Sequence, residues 1–75
     1  MNDKTLIGTE ELPQIGTIYQ HKNGEKYKVI LITNLFASPY RRDEYPITIT
    51  YRNIGDETIW SRPLYRWKGN FTEIL

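Results

Sequence analysis

A chain of 75 residues buries only about 60% of its unfolded surface, so these residues form one small core and leave nothing for a second. The absence of cysteine excludes disulfides and thiolate metal sites and suits a reducing, cytoplasmic setting, and a single histidine holds no metal by itself. A net charge of +1 excludes the whole-molecule attraction of a protein that coats nucleic acid.

Residues 1–15 carry Asp3, Glu10 and Glu11 against Lys4, with scattered apolar positions, and read as an acidic N-terminal tail or arm. They have no basic start followed by an apolar run, so a secretory signal is not expected, and no apolar stretch of the chain is long enough to span a bilayer. From Gly16 onward nine bases face six acids, and residues 16–75 are expected to form a single domain. Thr17 to His21 has strand character, Asn23-Gly24 is a strong hairpin dipeptide, and Glu25 to Thr33 answers as a second strand. Tyr27 and Val29 alternate with Lys26 and Lys28, whereas Val29-Ile30-Leu31-Ile32 is apolar on both faces and predicts cover on both sides. Residues 34–45 form a long irregular loop, a candidate to close over a site. Alternation resumes over Pro46–Tyr51, with Ile47, Ile49 and Tyr51 on one face. A turn at Asn53–Asp56 leads to a strand over Thr58–Ser61, which Arg62-Pro63 ends. Leu64–Trp67 suits one helical turn, and Phe71–Leu75 a last short strand. Five short strands with one helical turn predict an all-β domain, a small, strongly bent SH3-like barrel.

Catalysis requires groups that meet, and none announce themselves. His21 is the one side chain that titrates near neutrality at its ordinary value. The chain lacks a nucleophile elbow and a glycine-rich loop leading into a helix. Asp43-Glu44 and Asp56-Glu57 are adjacent in sequence, and adjacent strand residues point to opposite faces. The expectation is therefore a protein that is not an enzyme and needs no cofactor.

Binding chemistry is better represented. Aromatic residues make up 13% of the chain and alternate with cations, as in Tyr19-x-His21-Lys22, Tyr51-Arg52, Trp60-x-Arg62 and Tyr65-Arg66-Trp67. Flat rings stack on bases and guanidinium forks take phosphate or carboxylate in pairs of hydrogen bonds. The same pattern also arises when aromatics fill a small core and cations face outward. Trp60 and Arg62 share one face of a strand, so either Trp60 is core with Arg62 at its rim, or both line an open groove. Arg62 would otherwise pair with Asp56, Glu57 or Glu73, or stack on Trp60.

With Tyr19, His21, Gly24, Tyr27, Val29, Tyr51, Trp60, Arg62, Pro63 and Leu64 in view, the chain resembles a group of short bacterial and phage domains of unknown function. Their pattern begins with Tyr-x-His and ends in Trp-x-Arg-Pro-Leu-x-x-Phe. Here Lys22 comes one place early, Thr50 replaces an apolar residue and Trp67 replaces the Phe. The resemblance implies a compact β domain and no known activity. By analogy with phage proteins that capture host immune signals, the expected function is non-enzymatic sequestration of a small anionic, nucleotide-derived ligand by a homo-oligomer. Trp60, Tyr19 or Tyr51 would stack, Arg62 and Arg66 neutralise charge, and His21 and Lys22 add polar contacts. The alternative is a protein-interaction module or inhibitor docking on a host protein, with nucleic acid a weaker third and no membrane partner.

Overall fold

The first hairpin closes on Lys22-Asn23-Gly24. In the computed structural model, which describes residues 12–74, β1 (Ile18–His21) pairs antiparallel with β2 (Lys26–Thr33), Tyr19 lying opposite Tyr27. An Asn-Gly turn of two residues would place both at positive φ, but only Gly24 does so, at 96°. The loop has three residues instead. The Gly24 N–H donates to the His21 carbonyl and the His21 N–H to the Glu25 carbonyl, each at 2.8 Å, as in a turn completed by a glycine bulge.

Three further strands complete the sheet: β3 (Thr48–Asn53), β4 (Ile59–Pro63) and β5 (Phe71–Glu73). A single 3-10 turn at Pro39–Arg41 interrupts the long connection, and a one-turn helix, α1 (Leu64–Trp67), joins β4 to β5. Strand order is β4-β3-β2-β1-β5 with every neighbouring pair antiparallel, so the last strand returns to the side of the first. The domain is all-β apart from its short helices, as the alternating segments predict. No ladder joins β4 to β5 among the described residues, so the sheet does not close into a barrel.

Alternation decides the inner face. Tyr19, Tyr27, Val29, Ile49, Tyr51, Leu64 and Trp67 form the buried core, with Leu12, Ile32, Ile47 and Phe71 packed against it. Val29 and Ile49 are sealed from solvent, each stabilising the fold by about 1.5–3 kcal/mol. The two-sided cover expected over Val29–Ile32 is absent from the described residues. A bulge between Val29 and Leu31 shifts the register, so that Ile32 faces Ile49 while Leu31 lies exposed opposite Thr50. Pro63, expected beyond the strand, stays in β4 opposite Thr48, an edge position where a missing N–H does no harm.

Most of the expected acidic arm, residues 1–11, lies outside the described residues, as does Leu75. Its last part is docked: Pro13 is buried, Leu12 packs on the core and the Gln14 N–H donates to the Tyr19 hydroxyl at 3.0 Å.

Asn53 organises the β3–β4 turn from a buried position. Its Oδ1 accepts the Gly55 and Asp56 N–H groups at 2.7 and 3.2 Å, and its Nδ2 donates to Glu25 Oε1 at 2.8 Å. Glu57 closes the turn at φ 67°, a left-handed conformation tolerated because its N–H donates to the Asn53 carbonyl. Removing the amide strands these partners, so Asn53→Ala is expected to lower stability by about 1–3 kcal/mol, read from thermal or urea melts.

Asp56 in the same turn accepts from the Thr58 hydroxyl at 2.7 Å and the Thr58 N–H at 3.0 Å. The hydroxyl first, then the backbone N–H, holds its carboxyl below the ordinary value. A depressed carboxyl stabilises the fold above its unfolded pKa, and that stability is lost as pH falls through the folded value. Thr58 amide shifts are therefore expected to follow the Asp56 titration at a pH below the usual carboxylate range, and to lose that step in Asp56→Asn.

Candidate functional site

Helix α1 is too short to persist by propensity and is held by its neighbours. Leu64 donates its N–H to the Ile47 carbonyl at 2.7 Å, and the i, i+3 pair Leu64 and Trp67 points inward. Trp67 then stacks flat on Phe71, with ring centroids 3.7 Å apart and planes within 4°, and meets Tyr19 and Tyr51 edge-on at 5.3 Å each. This places Phe71 at the open seam between the two end strands.

Arg62 spans that seam. From β4 its Nε donates to the Tyr51 hydroxyl at 2.8 Å and its Nη1 to the Arg66 carbonyl at 3.2 Å. Its Cζ lies 5.1 Å from the centre of the Phe71 ring and 5.9 Å from that of Tyr51. The anticipated partners Asp56, Glu57 and Glu73 do not reach it; among the described residues Arg62 has no carboxylate partner. A guanidinium has five N–H donors, and the described residues take up two of them here. The remaining donors are available to an anion, on a cation that cannot deprotonate.

Trp60 follows neither simple alternative. It lies opposite Tyr51 on the core face of the sheet, yet remains 53% exposed because β4 is the end strand. Its Nε1 donates to Thr58 Oγ1 at 2.7 Å, which fixes the indole beside the turn. Its neighbour Ile59 faces away from the core and is 57% exposed.

The remaining sequence-derived residues divide by burial. Tyr19 and Tyr51 are core residues whose rings already contact Trp67; the Tyr51 hydroxyl orients Arg62, whereas neither ring offers an open face. His21 meets Phe71 edge-on at 4.8 Å, and its Nδ1 accepts the Asn23 N–H at 3.0 Å, a turn-bracing role. Arg66 is joined to Arg62 through its backbone carbonyl, while Lys22 is exposed and bonds by its N–H to the Asn70 carbonyl. The structure thus gathers Arg62, Tyr51, His21 and the backbone of Arg66 around Phe71. Sequence reasoning missed Phe71, whose placement depends on β5 returning beside β1, with Phe71 opposite His21.

The 34–45 loop is braced within itself and against its own ends. Arg42 donates to the carbonyls of Asn34 and Leu35, Arg41 pairs with Glu44 at 2.8 Å, and Asn34 donates to the Pro46 carbonyl. It borders a shallow, open groove of about 430 Å³ lined by Ile32, Leu35 and Phe36, and no hydrogen bond or ring contact links it to Arg62. Among the described residues no group of three His, Cys, Asp or Glu could hold a metal, and no helix is long and apolar enough to cross a membrane. No protein family, curated protein or solved structure matches the chain.

Proposed function

We propose that this domain is a non-enzymatic, SH3-like binding module that holds a small anionic ligand of the nucleotide class at Arg62. Arg62 carries the reading: a part-buried guanidinium, oriented by two neutral oxygens and lacking a carboxylate partner among the described residues. A phosphate would take its unused donors, Trp60 supplies the exposed aromatic face nearby, and His21 borders the same ring. Sequestration of a nucleotide-derived signal, as phage counter-defence proteins achieve, is the role such a stoichiometric binder fits. The SH3-like description rests on five short antiparallel strands, with a helical turn before a last strand that returns to the first.

The test is native mass spectrometry of gently purified protein, then a thermal-shift screen with mononucleotides, dinucleotides and cyclic nucleotides. A ligand at about 100 times its Kd adds about 2.7 kcal/mol to stability. For a domain of this size that raises the melting temperature by roughly 10–20 °C. A bare protein unmoved by every class overturns the reading in favour of a protein-docking module. That second reading is supported by Phe36 and Tyr40, which stand 100% and 93% exposed on the 34–45 loop.

A further inference from the structure

Among the described residues the outer edge of β4 is an unfinished hydrogen-bond ladder. Asn53 bonds to Thr58 and Leu64 to Ile47 across the β3–β4 pair, and with Tyr51 opposite Trp60 the ladder bonds fall on every second residue. By that parity Trp60 and Arg62 spend their backbone groups on β3, while Ile59 and Ser61 turn theirs outward. β4 ends the sheet, and Ile59, Trp60 and Ser61 are all exposed. Natural edges are commonly blunted by an inward charge, a proline or a bulge; in β4 the inward-facing Arg62 and Pro63 both sit at the C-terminal end, leaving Ile59-Trp60-Ser61 open. The open stretch is bounded by left-handed Glu57 before it and by Pro63, which has no N–H to offer, after it.

We propose that this edge is a homodimer interface, in which two copies of β4 pair antiparallel about a twofold axis at Trp60. Ile59 of each copy then faces Ser61 of the other, and each such pair exchanges two backbone hydrogen bonds. Trp60 meets its own twin as a pair without backbone bonds, the arrangement that brings side chains closest. Charge selects this orientation. β4 is entered from Asp56-Glu57 and left through Arg62, so antiparallel pairing sets the acidic end of one copy beside the basic end of the other. Arg62 comes opposite Thr58, whose hydroxyl holds Asp56. Parallel pairing would oppose like charges. The symmetry is isologous and closes at two copies. Both Arg62 side chains lie on the same face of the combined sheet, with the Trp60 pair between them.

This inference does not depend on the ligand reading, since a monomer keeps its Arg62 arrangement unchanged. So short an interface is small, and a dissociation constant of roughly 10–100 µM is expected. Sedimentation velocity from about 5 to 500 µM should therefore show a monomer–dimer equilibrium. Ile59→Lys, a charge on the exposed edge, should weaken it at least tenfold while the melting temperature at about 5 µM, where the monomer dominates, stays unchanged. Because the chain has no cysteine, Trp60→Cys should form a disulfide dimer on oxidation, while Ile59→Cys, which faces Ser61, should not. The proposal is overturned by a wild-type protein that stays monomeric throughout, whether its edge is bare or taken by a strand of another protein. A dimer indifferent to Ile59→Lys overturns it equally, as does crosslinking through position 59 but not 60.

Discussion

Trp67→Ala is expected to be the most destabilising single substitution in this core, lowering stability by about 3–5 kcal/mol. Truncating a buried tryptophan costs this much through lost transfer energy and the cavity left behind. For 75 residues the entire stability is on the order of 4–11 kcal/mol, so the loss takes a large share of the margin and all of it at the low end. The cost here belongs at the upper end, because the indole contacts three rings at once: flat on Phe71, edge-on to Tyr19 and Tyr51. Phe71 is also the platform beneath Arg62, so the seam should loosen with the core. Trp67→Phe keeps a ring against Phe71 and is expected to lose about half as much. Urea denaturation followed by far-UV circular dichroism measures both, and a loss under about 1 kcal/mol in Trp67→Ala would show that the aromatic stack does not hold the core together.

The second large effect falls on binding. Arg62→Ala is expected to weaken the nucleotide-class ligand by about 2–3 kcal/mol, or roughly 30- to 150-fold, the value of hydrogen bonds to a charged group. The variant should remain folded, since the side chain is only part-buried and both lost partners, the Tyr51 hydroxyl and the Arg66 carbonyl, are neutral. Arg62→Lys separates charge from geometry. A single ammonium keeps the charge, but cannot hold the Tyr51 hydroxyl and the Arg66 carbonyl while presenting a planar fork, so it should recover a minority of the loss. Calorimetric titration of the three proteins with the ligand found by thermal shift decides the matter. Unchanged affinity in a folded Arg62→Ala protein would move the site elsewhere.

The strands were legible wherever one face was apolar and the other polar. Ile49 and Tyr51 alternate with threonine and arginine, and their inward orientation follows from that alone. Leu31 shows the limit: a bulge moves it to the outer face, and a continuous apolar run contains no mark of where such a shift will fall. Leu64 and Trp67, three residues apart in a helical turn, carried a readable signal for the core. Arg62 was identifiable as a fork fixed between tryptophan and proline, but its surroundings were not. Tyr51, Arg66 and Phe71 reach it through strand pairings between distant parts of the chain, and single-sequence periodicity does not encode partners across the sheet. Trp60 was ambiguous for the same reason: its side of the strand was deducible, whereas its exposure follows from β4 lying last in the sheet.

The contrast between the two tryptophans turns the protein into its own optical instrument. Trp67 emits from among packed rings, Trp60 from the half-wet border of the sheet. Indole fluorescence shifts with the polarity around it, so one chromophore registers the cohesion of the interior and the other registers arrivals at the rim. In Trp67→Phe the rim holds the sole remaining indole, and its colour and anisotropy can be followed without a label as concentration or candidate ligand is varied. A change seen there while tyrosine circular dichroism stays constant separates docking from melting within a single cuvette.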